Sequence, residues 1–154
     1  IPFYESYYMM YDLPVDYRFS HFYYERDIES EDYVLNSLNP DDEKFIFVIE
    51  DGKHSLGYSI CIPEDRLPTQ YKIIRYNKEL NYTDDRFVLF NYYKLLDNAE
   101  QIHTTETAFF EFMRSMSSSL NTLPSINKSK VYLHSYVRNY ITTKIDKEYN
   151  RLLT

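Results

Sequence analysis

The run "KFIFVIE" at residues 44–50 constrains the fold of this chain more than any other segment. It is a continuous series of β-branched and aromatic side chains, without the alternation of a strand that faces water on one side. Such a run is typical of a strand that is covered on both faces, as in a parallel sheet. The sequence therefore predicts a buried central strand with other structure packed above and below it.

Further apolar segments predict more strands, and they alternate with segments of helical spacing. Strands are predicted at residues 70–77, 100–105 and 131–137, and helices at 27–39, 81–99, 106–120 and 139–153. Thr83 is the predicted N-cap of the helix at 81–99, and residues 51–60 form a loop that holds both glycines. The alternation predicts an α/β, Rossmann-like three-layer domain with a mainly parallel sheet. It occupies residues 28–154, and residues 1–27 form a Tyr-rich lead-in arm.

Charge and cysteine content exclude several classes of protein. A net charge of −7 without clustered Lys or Arg argues against a nucleic-acid-binding protein, because phosphate backbones attract basic patches. The single Cys61 allows neither an internal disulfide nor a cysteine metal site, and it fits a reducing compartment, cytoplasmic or virion-associated. No apolar run reaches membrane-spanning length. With two glycines in all, the chain lacks both glycine-rich phosphate-binding motifs, and no paired-histidine zinc motif predicts a metal.

Polar side chains follow the predicted strands at their carboxyl ends, where open α/β sheets bind ligands. They are Asp51, Lys53 and His54 after the first strand, His103 to Thr107 at the third, and His134 and Arg138 at the last. Two interpretations are open for each histidine: it is a ligand-site residue, or it is a hydrogen-bonded core side chain. Arg138 suits a phosphate or a surface ion pair.

The corner Thr104-Thr105-Glu106-Thr107 has two interpretations. Hydroxyl groups and free backbone N–H groups at a helix N-terminus form an anion site that suits phosphate. Alternatively, Thr105 or Thr107 simply caps the following helix, which hydroxyl residues often do. Spacing alone favours the cap.

Most of the chain also resembles a known family. The segments that carry the resemblance are "FYESYYMMYDLPVDYRFSHFYYERD", "DEKFIFVIED", "YTDDRFVLFNYYKLLDNAEQIHTTETAFFEFM" and "VYLHSYVRNY". They are similar, in the same order, to glycosyltransferase-like proteins of viral and bacterial sugar-modification gene sets. The resemblance implies the C-terminal, nucleotide-sugar-binding half of a glycosyltransferase with two Rossmann domains (GT-B type). In that fold the donor diphosphate lies over strand ends and helix N-termini.

The resemblance also implies roles for individual residues. It places Thr105 and Thr107 at the diphosphate, Arg138 at the phosphate charge and Glu106 at the sugar or ribose. It adds His103, Asp51 and Lys53 to the substrate-binding set, and Glu106 and His134 are the candidates for catalysis.

The implied function is to bind a nucleoside-diphosphate sugar and, within a longer protein, to transfer the sugar to an acceptor hydroxyl. No cofactor is implied beyond the donor. The acceptor is a glycan or a protein. Because the chain begins at Ile1 and not at methionine, we expect an upstream domain or other chains of a larger assembly as further partners.

Departures from the family pattern leave a second hypothesis open. Ile49 stands where a histidine is usual, Glu50 replaces an aspartate, and Ala108 replaces a second serine. Thr104 and Thr105 replace a Cys-Ile pair. These changes fall at ligand positions, whereas the apolar framework matches. The alternative is therefore a non-catalytic structural or interaction module that reuses this fold, for example in a viral or other large assembly.

Overall fold

A computed structural model describes residues 3–14, 16–50, 52–53, 59–105, 107–116, 123–136 and 143–146. The strands in chain order are β1 (Phe45–Ile49), β2 (Gly52–Lys53), β3 (Ser59–Ile60), β4 (Lys72–Arg75), β5 (Gln101–Thr104), β6 (Val131–Tyr136) and β7 (Thr143–Asp146). The α-helices are α1 (Phe3–Met10), α2 (Tyr17–Ser20), α3 (Ile28–Leu38), α4 (Leu80–Thr83), α5 (Tyr93–Asn98) and α6 (Ala108–Met116). Short 3-10 helices cover Glu64–Arg66, Leu89–Tyr92 and Lys128–Lys130.

The main sheet has the strand order β4-β1-β5-β6-β7. The pairs β4–β1, β1–β5 and β5–β6 are parallel, and β7 adds to the far edge antiparallel to β6. The chain is thus an α/β protein with a mainly parallel, Rossmann-like sheet, which confirms the predicted fold class.

Strand β1 lies at the centre of the fold because all five of its side chains are buried. Phe45, Phe47 and Ile49 face the main core, where they meet apolar side chains of α3, α5 and α6. Ile46 and Val48 face the other side of the sheet, where the segment at residues 62–67 covers them. Full burial of such a side chain contributes about 1.5–3 kcal/mol. Coverage on both faces explains why the run has no polar alternation.

Helix α3 begins where the sequence provides a cap. The Asp27 Oδ1 atom accepts a hydrogen bond from the Ser30 N–H at 3.0 Å, and Asp27 Oδ2 accepts one from the Ser30 hydroxyl at 2.7 Å. The helix ends at Leu38, before Asn39 and Pro40. The helix predicted at 27–39 is therefore confirmed.

The single helix predicted at residues 81–99 is wrong. The segment divides into α4, the 3-10 helix at Leu89–Tyr92, and α5. Thr83 ends α4 instead of capping a longer helix, and its hydroxyl donates to the Leu80 carbonyl at 3.2 Å. The Asp84 carboxylate accepts the Arg86 N–H at 3.0 Å, and this local bond competes with helix continuation.

The closing helix predicted at residues 139–153 is wrong over residues 143–146, which form the antiparallel strand β7. Pairing with the exposed edge of β6 overrides the local helical spacing there. Within the predicted loop at residues 51–60, β2 and β3 pair as a short antiparallel ribbon.

The lead-in residues contribute to the packing of the body. The ring of Tyr24 stacks on Phe90 with 4.9 Å between centroids, and it meets Phe112 edge-on at 5.5 Å. Phe22 also meets Phe112, at 6.3 Å. The end of the predicted arm therefore lies against α6.

Candidate functional site

The strand order defines where a ligand is expected. After β1 the chain adds β4 on one side and then β5 on the other, so the direction of winding reverses between β1 and β5. In open α/β sheets, ligands bind outside the carboxyl ends of the strands at such a switch point. Here the Thr105 N–H donates to the Ile49 carbonyl at 3.1 Å and joins the two strand ends. The candidate site therefore lies around Ile49, Glu50 and the threonine corner.

Two hydroxyls of the threonine corner satisfy each other. Thr104 Oγ1 donates to the Thr105 carbonyl at 2.7 Å and lies 3.1 Å from Thr107 Oγ1. Because Thr104 has a single hydroxyl proton, Thr107 must be the donor in the second contact. Thr107 also stands at the start of α6, where its carbonyl accepts the Glu111 N–H at 3.3 Å. Thr104 and Thr107 thus link the end of β5 to the start of α6.

Thr105 differs from its neighbours. Its side chain is fully buried, yet its hydroxyl has no hydrogen-bond partner in the described part of the chain. Its N–H is already bonded to Ile49 and is not free for a phosphate. The hydroxyl is therefore the group that Thr105 can offer to a ligand.

His103 and His134 form a buried pair on neighbouring strands. His103 Nδ1 lies 2.9 Å from His134 Nε2, and His103 Nε2 lies 2.8 Å from Gln101 Oε1. The ring of Tyr132 stacks on His103 with 4.8 Å between centroids. His134 Nδ1 is buried and has no partner among the described residues.

Burial keeps both imidazoles neutral. It lowers the pKa of His103 to about 4, with a further contribution from His134. Burial also lowers the pKa of His134 to about 4, helped by the positive charge of Arg66. At neutral pH each ring therefore carries one proton, and each has one nitrogen with a lone pair.

A salt bridge that the sequence did not predict holds the end of β1. Glu50 Oε1 accepts hydrogen bonds from Arg75 Nη1 at 2.7 Å and from the Ile62 N–H at 3.2 Å. Arg75 also pairs with Glu64. Two carboxylates therefore offset its charge. The signal available in the sequence was an arginine at the carboxyl end of the predicted strand "QYKIIRYN".

A cavity of about 260 Å³ opens beside this salt bridge, at the carboxyl ends of β1 and β4. Val48 and Glu50 line it from β1, and residues 75–79 line it from the other side. Within that segment Tyr76 supplies an aromatic ring, and Lys78 supplies a cation that has no ion-pair partner in the described ranges. Sequence analysis missed the cavity because it depends on how two strand ends are spaced.

Among the residues singled out in the sequence, the structure brings His103 into contact with His134, and Thr107 into contact with Thr104 beside Thr105. Lys53 is described only as part of the backbone of β2. Asp51, His54, Glu106 and Arg138 lie outside the described residues. Ile49 is buried in the main core.

The described residues contain no group of three or more His, Cys, Asp or Glu side chains placed to hold a metal ion. None of their helices has the length and apolar character needed to cross a bilayer.

No protein-family model, curated protein or solved structure matches the chain. The class that the structure defines is a Rossmann-like α/β domain. Its candidate ligand site lies at the switch point between β1 and β5.

Proposed function

We propose that this chain is a nucleotide-sugar-binding domain of glycosyltransferase type, which within a longer protein transfers the sugar to an acceptor hydroxyl. The observation that carries the proposal is the buried, unpartnered hydroxyl of Thr105 at the switch point between β1 and β5. A buried polar group without a partner is costly, so a ligand that completes its hydrogen bonding is favoured at that position. The resemblance to glycosyltransferase-like proteins supplies the class of ligand.

The neighbouring cavity supports the same ligand class. Its position at the carboxyl edge suits the nucleotide part of the donor, and Tyr76 offers a ring for contact with a base. Lys78 offers a positive charge for the diphosphate. Arg75 would join it only by exchanging a carboxylate partner for phosphate, since Glu50 and Glu64 already hold it.

In the proposed reaction the acceptor oxygen forms a bond to the anomeric carbon while the bond from that carbon to the diphosphate breaks. The acceptor hydroxyl loses its proton, and the nucleoside diphosphate leaves with the bonding electrons. Fixed dipoles and cationic side chains at the diphosphate stabilise the charge that develops on it. The task of this domain is to hold the donor.

A second candidate function is a non-catalytic module that keeps the fold without the reaction. It is favoured by the closed hydrogen bonding of Thr104 and Thr107 and by the offset charge of Arg75. Neither feature needs a ligand to complete it.

Titration separates the two candidates. The chain is titrated by calorimetry with nucleoside diphosphates and their sugar conjugates. The proposal predicts saturable binding of at least one compound and weaker binding by Lys78→Ala. Lys128→Ala is the matched control, because Lys128 lies just before the amino end of β6, whereas the cavity lies at the carboxyl ends of the strands. If no compound of the panel binds, the transferase function is contradicted and the non-catalytic module is favoured.

A further inference from the structure

The geometry points to a hydroxyl-binding site made by His134 and Thr105. We propose that His134 Nδ1 accepts a hydrogen bond from one hydroxyl group of a sugar or ribose, while the Thr105 hydroxyl donates to the oxygen of that same group. The identity of the ligand rests on the proposed function, but the pairing of these two side chains rests on the fold.

The proton positions of the histidine pair follow from Gln101. Its Oε1 atom only accepts, so the His103 Nε2 atom that faces it at 2.8 Å carries the proton. Neutral His103 then has a lone pair on Nδ1, and the His134 Nε2 atom 2.9 Å away must be the donor. Neutral His134 is left with a lone pair on Nδ1. The chain of hydrogen bonds thus fixes that buried atom as an acceptor.

The register of β5 and β6 places Thr105 beside His134. Thr104 is paired with Leu133, so the next residues along the two parallel strands are Thr105 and His134. Side chains alternate along a strand, and Leu133 faces the main core. His134 therefore lies on the opposite face, where it contacts His103. Alternation places Thr105 on this same face, because its N–H continues the ladder toward β1.

The spacing of the strands suits one bridging oxygen. Neighbouring strands lie about 4.8 Å apart, a separation that one oxygen atom can bridge with two hydrogen bonds. Thr105 Oγ1 and His134 Nδ1 are not bonded to each other or to any other described residue. One group is able to donate and the other is able only to accept.

His134 Nδ1 needs a hydrogen-bond donor, which excludes a carboxylate or phosphate oxygen, since these only accept. A hydroxyl fits both groups at a single atom, because it donates to Nδ1 and accepts from the Thr105 hydroxyl. Both side chains are fully buried, so a ligand reaches them only when an adjacent segment of the same polypeptide moves aside. The association rate constant of the ligand is therefore expected to be below about 10⁵ per molar per second.

Gln101 is the positioning residue of this site, because it sets the tautomer of His134 through His103. NMR correlation spectra of the imidazole nitrogens are expected to show His134 protonated at Nε2 and bare at Nδ1. Gln101→Leu removes the acceptor and should mix the tautomers. Gln101→Glu keeps an acceptor and should restore the wild-type pattern. A merely structural Gln101 would leave the tautomers unchanged, and a proton on His134 Nδ1 in the wild type would overturn the proposal.

Ligand titrations observed at the same nitrogen complete the test. The probes are nucleoside diphosphates, their sugar conjugates and free monosaccharides. Binding should shift the His134 Nδ1 signal. Thr105→Val should raise the dissociation constant about tenfold, which is the loss of affinity expected for one buried hydrogen bond. Thr69→Val is the control, because Thr69 is exposed and precedes β4.

The outcomes separate this inference from the proposed function. If only free monosaccharides shift His134, the hydroxyl site stands and nucleotide binding fails. If nucleotide sugars bind without moving His134, or bind equally to Thr105→Val, the hydroxyl site is overturned and the proposed function stands. If no probe binds, both are overturned.

Discussion

His103 and His134 are joined by a hydrogen bond of 2.9 Å between His103 Nδ1 and His134 Nε2, across two parallel strands in the interior. Both rings are buried, and one side of the pair ends on Gln101 while the other ends on a nitrogen without a partner among the described residues. In such a row of hydrogen bonds every donor points the same way. Protonation of either ring therefore affects the stability of the sheet, and the unpartnered nitrogen connects the pair to the candidate ligand site.

The first prediction concerns acid. Each histidine has a pKa lowered from 6.5 to about 4, so the unfolded chain binds protons at a pH where the folded chain does not. The free energy of unfolding should therefore be greatest above pH 6.5 and should fall as the pH drops toward 4. One site with this shift corresponds to on the order of 3 kcal/mol. Urea unfolding measured across this range tests the prediction.

A variant isolates the source of that pH dependence. His134→Phe should reduce the fall in stability between pH 6.5 and 4, leaving mainly the part due to His103, whereas His21→Gln should leave the profile unchanged, because His21 is exposed. An unaltered profile in His134→Phe would show that other groups cause the acid sensitivity.

The second prediction contrasts two adjacent threonines. Thr105→Val removes a buried hydroxyl that has no partner in the described ranges, so it should raise the free energy of unfolding by about 1 kcal/mol. Thr104→Val makes the same chemical change where the hydroxyl bonds to the Thr105 carbonyl and to Thr107, and it should lower the stability by about 1–2 kcal/mol. Denaturant unfolding of both variants checks the difference. Equal effects on stability would contradict the distinction between a bracing threonine and a ligand-site threonine.

The third prediction concerns the salt bridge beside α3. Arg26 donates to both carboxylate oxygens of Glu31, at 2.9 and 2.8 Å, and the Glu31 side chain is fully buried. Arg26→Leu leaves that carboxylate buried without its cation and should cost about 3 kcal/mol or more. The double variant with Glu31→Leu should recover most of this loss, since no buried charge remains. Thermal unfolding of both variants is the measurement, and a double variant no more stable than Arg26→Leu would refute the explanation.

The strands could be read from the sequence because their signal is local. The strands β1, β4, β5 and β6 are each specified by the apolar side chains of their own segment, and all four lie within the segments predicted for them. The helix at 81–99 and the closing helix could not be read in this way. In one case the Asp84 side chain interrupts the helix, and in the other an exposed strand edge recruits residues 143–146.

The candidate site was only partly predictable for a similar reason. Sequence reasoning identified Thr105, His103 and His134 from their positions at strand ends. It could not determine that Thr104 and Thr107 satisfy each other while Thr105 does not, because this depends on side-chain geometry within the corner. The histidine pair joins residues 31 positions apart, and it follows from a strand register that no local pattern specifies.

Nucleotide-sugar binding at the switch point between β1 and β5 is the proposal on which the function of this chain depends. Calorimetric titration of wild type, Thr105→Val and Thr69→Val with one panel of nucleoside diphosphates and their sugar conjugates tests it most directly. Saturable binding is expected for wild type and Thr69→Val, and binding about tenfold weaker for Thr105→Val. Absence of binding to wild type would refute nucleotide-sugar binding, whereas equal affinity for all three proteins would overturn only the assignment of Thr105 to the site.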